Sequence, residues 1–300
     1  MKTENNKIWI FFALTFGLSW TMALVYWLAG GSTNPASTPY FIMTLTFMFT
    51  PMISALLVQK IILKQNVKQN LGINFKWNWW WTVAWLLPLI IALATMGVGL
   101  LFPGVSFSSG MEGMFDRFEG LFTPEQMDEM RNMELPVHPF FITLIQGLIA
   151  ALTINAVAGF GEELGWRGIL HESLKEKGFW KMSLIIGLIW GIWHAPIILM
   201  GHNYPENPIA GVFMMIAFCI LFAPIFTLIR EKSSSVIAAS IFHGGINALG
   251  GTAIMLLKGG NELLIGLTGL AGFTVLVIFN IMIFVYLNTN NHSNGYQKGH

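Results

Sequence analysis

Charge is what this sequence has least of. Only 10% of its 300 residues are Asp, Glu, Lys or Arg, against about 25% in an ordinary soluble domain. A chain of this size cannot cover a water-facing surface with so few. Cysteine is nearly absent: the single Cys219 excludes an intrachain disulfide and any zinc site made of a cysteine cluster. Neither sign of charge dominates, with Lys+Arg 16 against Asp+Glu 15, so there is no basic excess to bind nucleic acid. Aspartate occurs only as Asp116 and Asp128, both outside the apolar runs, which excludes an intramembrane aspartyl dyad. The zincin pattern is missing too, because His171-Glu172 continues Ser173-Leu174-Lys175. What the chain has is 54% hydrophobic and 14% aromatic residues, which excludes intrinsic disorder and points to a polytopic membrane protein.

A helix needs about 20 apolar residues to cross the hydrocarbon. Eight stretches qualify: Ile8–Leu28, Tyr40–Leu63, Trp79–Phe102, Pro139–Leu170, Met182–Met200, Ile209–Ile229, Val236–Leu257 and Leu263–Tyr286. The short alternating segments of a β-barrel are not seen. The first stretch is too long for a usual signal-peptide core and no small-x-small site follows it, so it reads as an uncleaved helix. With the N-terminus inside, Lys2, Lys7, Lys60, Lys64, Lys68, Lys76, Arg167, Lys175, Lys177, Lys181, Arg230, Lys232 and Lys298 face the cytoplasm. Only Arg117, Arg131 and Lys258 lie outside, as the positive-inside rule requires. The expected fold is therefore an all-α bundle of about eight transmembrane helices with both termini cytoplasmic, in the cell membrane if the source is bacterial.

Three parts are expected: residues 1–138 with three helices and an outer loop, a membrane core over 139–287, and a disordered polar tail over 288–300. The outer loop, Pro103–His138, carries Glu112, Asp116, Glu119, Glu125, Asp128, Glu129 and Glu134. Within it Met111–Phe122 has the pattern of a surface helix, and Thr123-Pro124 reads as an N-cap followed by proline at the first helical position. A packed lid over the outer end is favoured over a binding loop.

Five ionisable residues lie inside the apolar stretches: Glu162, Glu163, Arg167, His194 and His243. Each charge at mid-membrane costs about 2.5–3.5 kcal/mol on insertion scales. Glu163 and Arg167 are four apart and can pair on one helix face, which is a complete structural reason for both. Glu162 points about 100° away and needs another partner or a water-filled cavity. His194 follows Trp190 by four residues, and His243 precedes Asn247 by four. Counted along their helices, Glu162, His194 and His243 lie about 12, 20 and 14 Å from the cytoplasmic end. One spare carboxylate, two imidazoles and a carboxamide are thus expected at similar depth, nearer the cytoplasm. That is an inventory for activating a water and stabilising an oxyanion. A Ser240–His243 dyad is the weaker reading, since it leaves Glu162 and His194 without a role.

Three motifs carry a family resemblance: Glu162-Glu163-Leu164-Gly165-Trp166-Arg167, Trp190-Gly191-Ile192-Trp193-His194 and His243-Gly244-Gly245-Ile246-Asn247. In order and each within a span, they resemble the Glu-Glu-x-x-x-Arg, Phe-x-x-x-His and His-x-x-x-Asn motifs of the CPBP family. That family comprises the CAAX prenyl proteases of the Rce type and the Abi-type bacteriocin-processing intramembrane proteases. The resemblance covers roughly Pro139–Leu257 and implies a helix bundle with a cavity open to the cytosol. It implies an endopeptidase in which Glu162 and His194 hold and activate water, Glu163 and Arg167 brace the site, and His243 and Asn247 bind the oxyanion. Trp190 replaces the family's phenylalanine, and the expected effect is on packing alone. Glu162, His194 and His243 could hold zinc or act without metal, and both readings stand at this point. The implied partners are the bilayer and a membrane-associated peptide or protein, prenylated or a bacteriocin precursor. The alternatives are a proton-coupled transporter and a non-catalytic immunity or scaffold protein.

Overall fold

The computed structural model describes residues 6–118, 121–133 and 135–296, with side chains described as far as residue 289. Glu119, Glu134 and residues 297–300, including Lys298, lie outside the described residues, as does Lys2. The architecture is an all-α bundle. We number the main helices α1 Lys7–Leu28, α2 Thr38–Leu56, α3 Trp79–Gly99, α4 Pro139–Leu152, α5 Ile154–Glu163, α6 Phe179–Trp193, α7 Ala195–Leu199, α8 Pro208–Ser233, α9 Val236–Leu249 and α10 Leu270–Tyr296. Large apolar side chains face outward, among them Leu24, Val25 and Trp27 on α1 and Ile278, Ile281 and Phe284 on α10. In a solvent of lipid tails such exposure is what a spanning helix requires.

Among the described residues, six helices are long and apolar enough to cross a membrane, or seven if the bent pair α4–α5 is one span. The eight-span count is thus not reached. The stretch read as one span over Pro139–Leu170 is broken at Thr153, whose backbone (φ −121°, ψ −109°) leaves the helical region. Across that residue the chain bends by 51°. The stretch Met182–Met200 is also two pieces, the 15-residue α6 and the 5-residue α7, with His194 at the joint ahead of Pro196. Fifteen residues rise only about 22 Å, short of the roughly 30 Å hydrocarbon. Pro51, Pro88 and Pro224, by contrast, sit inside continuous helices. The last helix runs to Tyr296, past the Asn288 boundary of the expected tail.

The outer loop has more structure than its composition announced. Ser106–Phe107 (β1) pairs antiparallel with Leu257–Lys258 (β2), Ser106 opposite Lys258. Arg117 donates to the carbonyls of Gly113, Leu257 and Gly259. Met111, Phe115, Met127, Phe140, Met255 and Leu256 form a small core of their own beneath it. Thr123 caps the helix Pro124–Asn132: its hydroxyl accepts from the Gln126 N–H at 3.3 Å and the Gln126 side chain accepts from the Thr123 N–H at 2.9 Å, a capping box. On the surface the Lys258 ammonium meets Glu112 at 2.7 Å and holds that carboxyl below its ordinary range.

The site depends on the close packing of α5 against α9. Gly159 makes the approach: a Cβ there would fall 2.8 Å from the Ser240 carbonyl oxygen and 3.0 Å from the Cβ of His243. Gly244 faces the backbone of Asn155 and Ala156 in the same way, and Asn155 donates across to its carbonyl at 3.4 Å. We expect Gly159→Ala to destabilise the protein by about 1–3 kcal/mol through overpacking. Gly17→Ala, where a Cβ meets nothing within 4 Å, should be neutral. Thermal unfolding of the two variants in detergent checks this, and equal midpoints would refute the close-packing argument.

Candidate active site

The last turn of α5 brings Glu162 and Glu163 to α9, and both are fully buried. Arg167 lies on the next turn, in a stretch wound wider than an α-helix (Leu164–Leu170). Glu163 Oε1 accepts from Arg167 Nη1 at 3.1 Å and from His243 Nδ1 at 2.8 Å. The guanidinium is flanked by rings, its carbon 4.1 Å from the centre of Phe226 and 4.9 Å from that of Trp190. Such stacking suits a planar, weakly hydrated cation. The pair expected from the spacing of four is therefore present, and His243 makes it a triad.

Glu162 is held differently. Its Oε2 accepts from the indole N–H of Trp190 at 2.7 Å and of Trp166 at 3.3 Å. Its Oε1 faces His243 Nε2 across 3.8 Å, too long for a direct hydrogen bond. The substitution of tryptophan for phenylalanine at 190 thus does more than alter packing: it adds a donor to the spare carboxylate. His194 donates from Nδ1 to the Trp190 carbonyl at 2.8 Å, the geometry of an N–H to oxygen bond, which leaves Nε2 as an acceptor. Ser240 turns its hydroxyl back to the Val236 carbonyl at 2.9 Å, so no serine–histidine dyad forms.

Glu162, His194, His243 and Asn247 all line one cavity of about 840 Å³. Its walls are Phe47, Trp193, Phe218 and Phe226, and its far end is Asp116, Arg117, His202, Glu206, Glu262 and Thr268. Those residues belong to the outer loop and to the segments joining α7 to α8 and β2 to α10. Burial pushes the His202 imidazole down to about 4, so it stands neutral at this rim. Glu262 ties the two segments together, accepting from the N–H groups of Glu206 at 2.9 Å and Asn207 at 2.8 Å.

The cavity therefore extends toward the acidic loop, not toward the basic loops. Below Glu162 the bundle is plugged by Trp166, Arg167, Leu170 and Leu71, each at most 1% exposed. Arg230 donates to the Arg167 carbonyl at 3.0 Å, and the Val236 N–H to the Gly72 carbonyl at 2.9 Å. Counting residues from a helix end measures depth, not access.

All six motif residues gather here: Glu162, His194, His243 and Asn247 on the cavity, Glu163 and Arg167 behind it. Sequence reasoning missed Trp166 and Trp190 as donors. Their spacing held the signal, since Trp166 follows Glu162 by one helical turn. Among the described residues no three His, Cys, Asp or Glu side chains are grouped to hold one ion. Two indole N–H groups occupy one carboxylate oxygen, and Glu163 occupies one nitrogen of His243.

Comparison with known proteins meets this geometry. Residues 142–249 match the family described as type II CAAX prenyl endopeptidase Rce1-like. Over 105 residues the chain is 30% identical to CAAX prenyl protease 2 of Methanococcus maripaludis, covering 33% of this chain and 39% of that protein. The chain thus spans about two fifths of the length of the curated relative it matches. Residues 142–249, the segment matched by the family, hold every motif residue.

Removing Glu163 strands a buried cation and loosens His243 at once. We expect Glu163→Ala to cost about 3–5 kcal/mol, as breaking one side of a buried pair does. Glu163→Ala/Arg167→Met should regain part of that. A chemical-unfolding series would show it, and a double variant less stable than the single one would contradict the pairing.

Proposed function

We propose, on the CPBP-family assignment that residues 142–249 support, that this multi-pass membrane protein is a CAAX-type intramembrane endopeptidase. The observation that carries the reading is the buried Glu162: one carboxylate oxygen held by two indoles, the other turned to His243 at the end of a cavity. Its substrate is a membrane-associated peptide or protein, and prenylated peptides and bacteriocin precursors are the two classes the family suggests.

The reaction is hydrolysis of an amide. A water held by Glu162 Oε1 and the Nε2 acceptor of His194 gives its proton to Glu162 and attacks the scissile carbonyl. The carbonyl electrons move onto oxygen, where His243 Nε2–H and the Asn247 amide donate. Because Nδ1–H of His243 already goes to Glu163, donation from Nε2 requires the imidazolium, and the Glu163 carboxylate is its counter-ion. Glu162 then returns the proton to the leaving amine as the C–N bond breaks. Arg167 keeps Glu163 in place and has no contact with the reacting atoms. No step is routed through zinc, since among the described residues no three such side chains are grouped to hold one ion.

Two measurements test this. Comparing the membrane proteomes of cells with the wild-type protein and with Glu162→Gln should show substrates accumulating uncut in the variant, which itself stays folded. Identical proteomes would sink the protease reading. In purified protein, Asn247→Ala should lower turnover about 10²–10³-fold, as loss of one oxyanion donor does. Stoichiometric zinc by elemental analysis, together with an Asn247→Ala rate near wild type, would overturn the mechanism.

A further inference from the structure

We infer that Trp190 is a positioning residue for the proposed base: its indole N–H pins one oxygen of Glu162, so that the other stays aimed at His243 and the cavity. The inference rests on the reading of Glu162 as the base. It goes beyond that reading by giving a role to a side chain that takes part in none of its proton-transfer or oxyanion steps.

The need arises from the carboxylate itself. The last torsion of a glutamate side chain is soft, so a lone carboxylate exchanges its two oxygens by rotation. Here both indole donors fall on the same oxygen, Oε2, Trp190 at 2.7 Å and Trp166 at 3.3 Å. Exchanging the oxygens would break both bonds at once. Oε1 is thereby kept on the side of His243, whose Nε2 lies 3.8 Å away.

The two donors are themselves held. Trp190 is buried, with the rings of Phe226, His194 and His243 at 5.4, 5.7 and 5.7 Å between centroids. Trp166 is buried edge-on against Phe11 at 5.9 Å and Trp193 at 5.5 Å. Trp193 in turn donates its indole N–H to Ser19 at 2.9 Å. The clamp is thus anchored on α1, outside residues 142–249. Of the two bonds the Trp190 one is shorter, so Trp190 carries most of the restraint.

The donor is separable from the ring. Stacking on the Arg167 guanidinium, 4.9 Å from the Trp190 ring centre, needs only an aromatic face. Loss of the N–H alone should leave the fold and the cavity in place and free the Glu162 carboxylate to turn. Substrate would still bind, but the water would meet a misplaced base for much of the time. The loss belongs in kcat, by roughly 10–100-fold, the worth of a hydrogen bond to a charged group or of a small misplacement of a reacting group.

Two changes remove the N–H: Trp190→Phe, and exchange of Trp190 for benzothienylalanine, which keeps the two-ring shape and has sulfur in place of N–H. The first readout is spectroscopic and needs no substrate. With isotope-labelled indole nitrogens, the Trp190 N–H resonance is assigned by its loss in Trp190→Phe. It should move in Glu162→Gln, where a neutral amide replaces the carboxylate partner. A resonance that stays in place would overturn the inference. The second readout is pulse–chase processing of the proteins that accumulate uncut in Glu162→Gln cells. Both Trp190 variants should slow it by roughly 10–100-fold at an unchanged melting temperature, and with purified enzyme KM should hold while kcat falls. Wild-type processing by the benzothienylalanine protein beside slow processing by Trp190→Phe would assign the effect to shape and overturn the inference. Wild-type rates in both variants, with Glu162→Gln inactive, would overturn it and leave the endopeptidase standing. If nothing accumulates uncut in Glu162→Gln cells, the endopeptidase reading falls and takes this inference with it.

Discussion

The bond between Glu163 and His243 is the one on which this site depends. It joins two helices 80 residues apart in sequence, and it does so through a carboxylate that also holds Arg167. Any of the three alone in the membrane interior would be a severe penalty. Together they leave one formal positive charge when His243 is protonated and none when it is neutral, with aromatic rings around the guanidinium. The triad is thus tolerable in lipid in either state, and this is what frees the neighbouring Glu162 from structural duty.

Consecutive glutamates on a helix face different ways, and the protein uses the difference. Glu163 looks toward α9 and Arg167; Glu162 looks toward α6 and the cavity. Trp190 reaches both, stacking on Arg167 and donating to Glu162. One side chain therefore couples the Glu163–Arg167 pair to the Glu162 carboxylate. A phenylalanine at 190 would keep the stacking and lose the donation. Oε2 is the oxygen so restrained, and that leaves Oε1 as the one able to meet water.

Much of this was legible in the sequence, for reasons of two kinds. Membrane spans follow from composition, because lipid filters residues one by one: α1, α2, α3, α8 and α9 all begin within two residues of their expected starts, and α10 begins seven residues late. Helical spacing of four found Glu163–Arg167, and the motif order found His194, His243 and Asn247. What composition hides is tertiary. An apolar run reads the same whether straight or bent at Thr153, and Phe179–Trp193 with Ala195–Leu199 reads as one span because His194 is a single polar residue in apolar surroundings. The β1–β2 ladder is two residues long and 149 residues of chain separate its ends, so no local pattern announces it. Trp190 looked like a packing residue because an indole is both a hydrophobe and a donor, and only a neighbour's position says which matters.

The two ends of the bundle face opposite demands. A buried carboxylate must meet water to act as a base, yet a water path across the bilayer would leak ions. The chain resolves this by closing one end with its most polar cluster rather than with apolar residues alone. Arg167 and Glu163 plug the bundle and at the same time orient His243, so the seal and the site are made of the same side chains. The opening is left to loops: Arg117 spends its donors on the carbonyls of Gly113, Leu257 and Gly259, and Glu262 spends one oxygen on the N–H groups beside Tyr204. The rim is therefore held by charge-to-backbone bonds that need no lipid, which is what a mouth standing in water requires. Rigidity at the closed end comes from burial, and at the open end from hydrogen bonds to main chain. The candidate catalytic side chains sit where the two regimes meet.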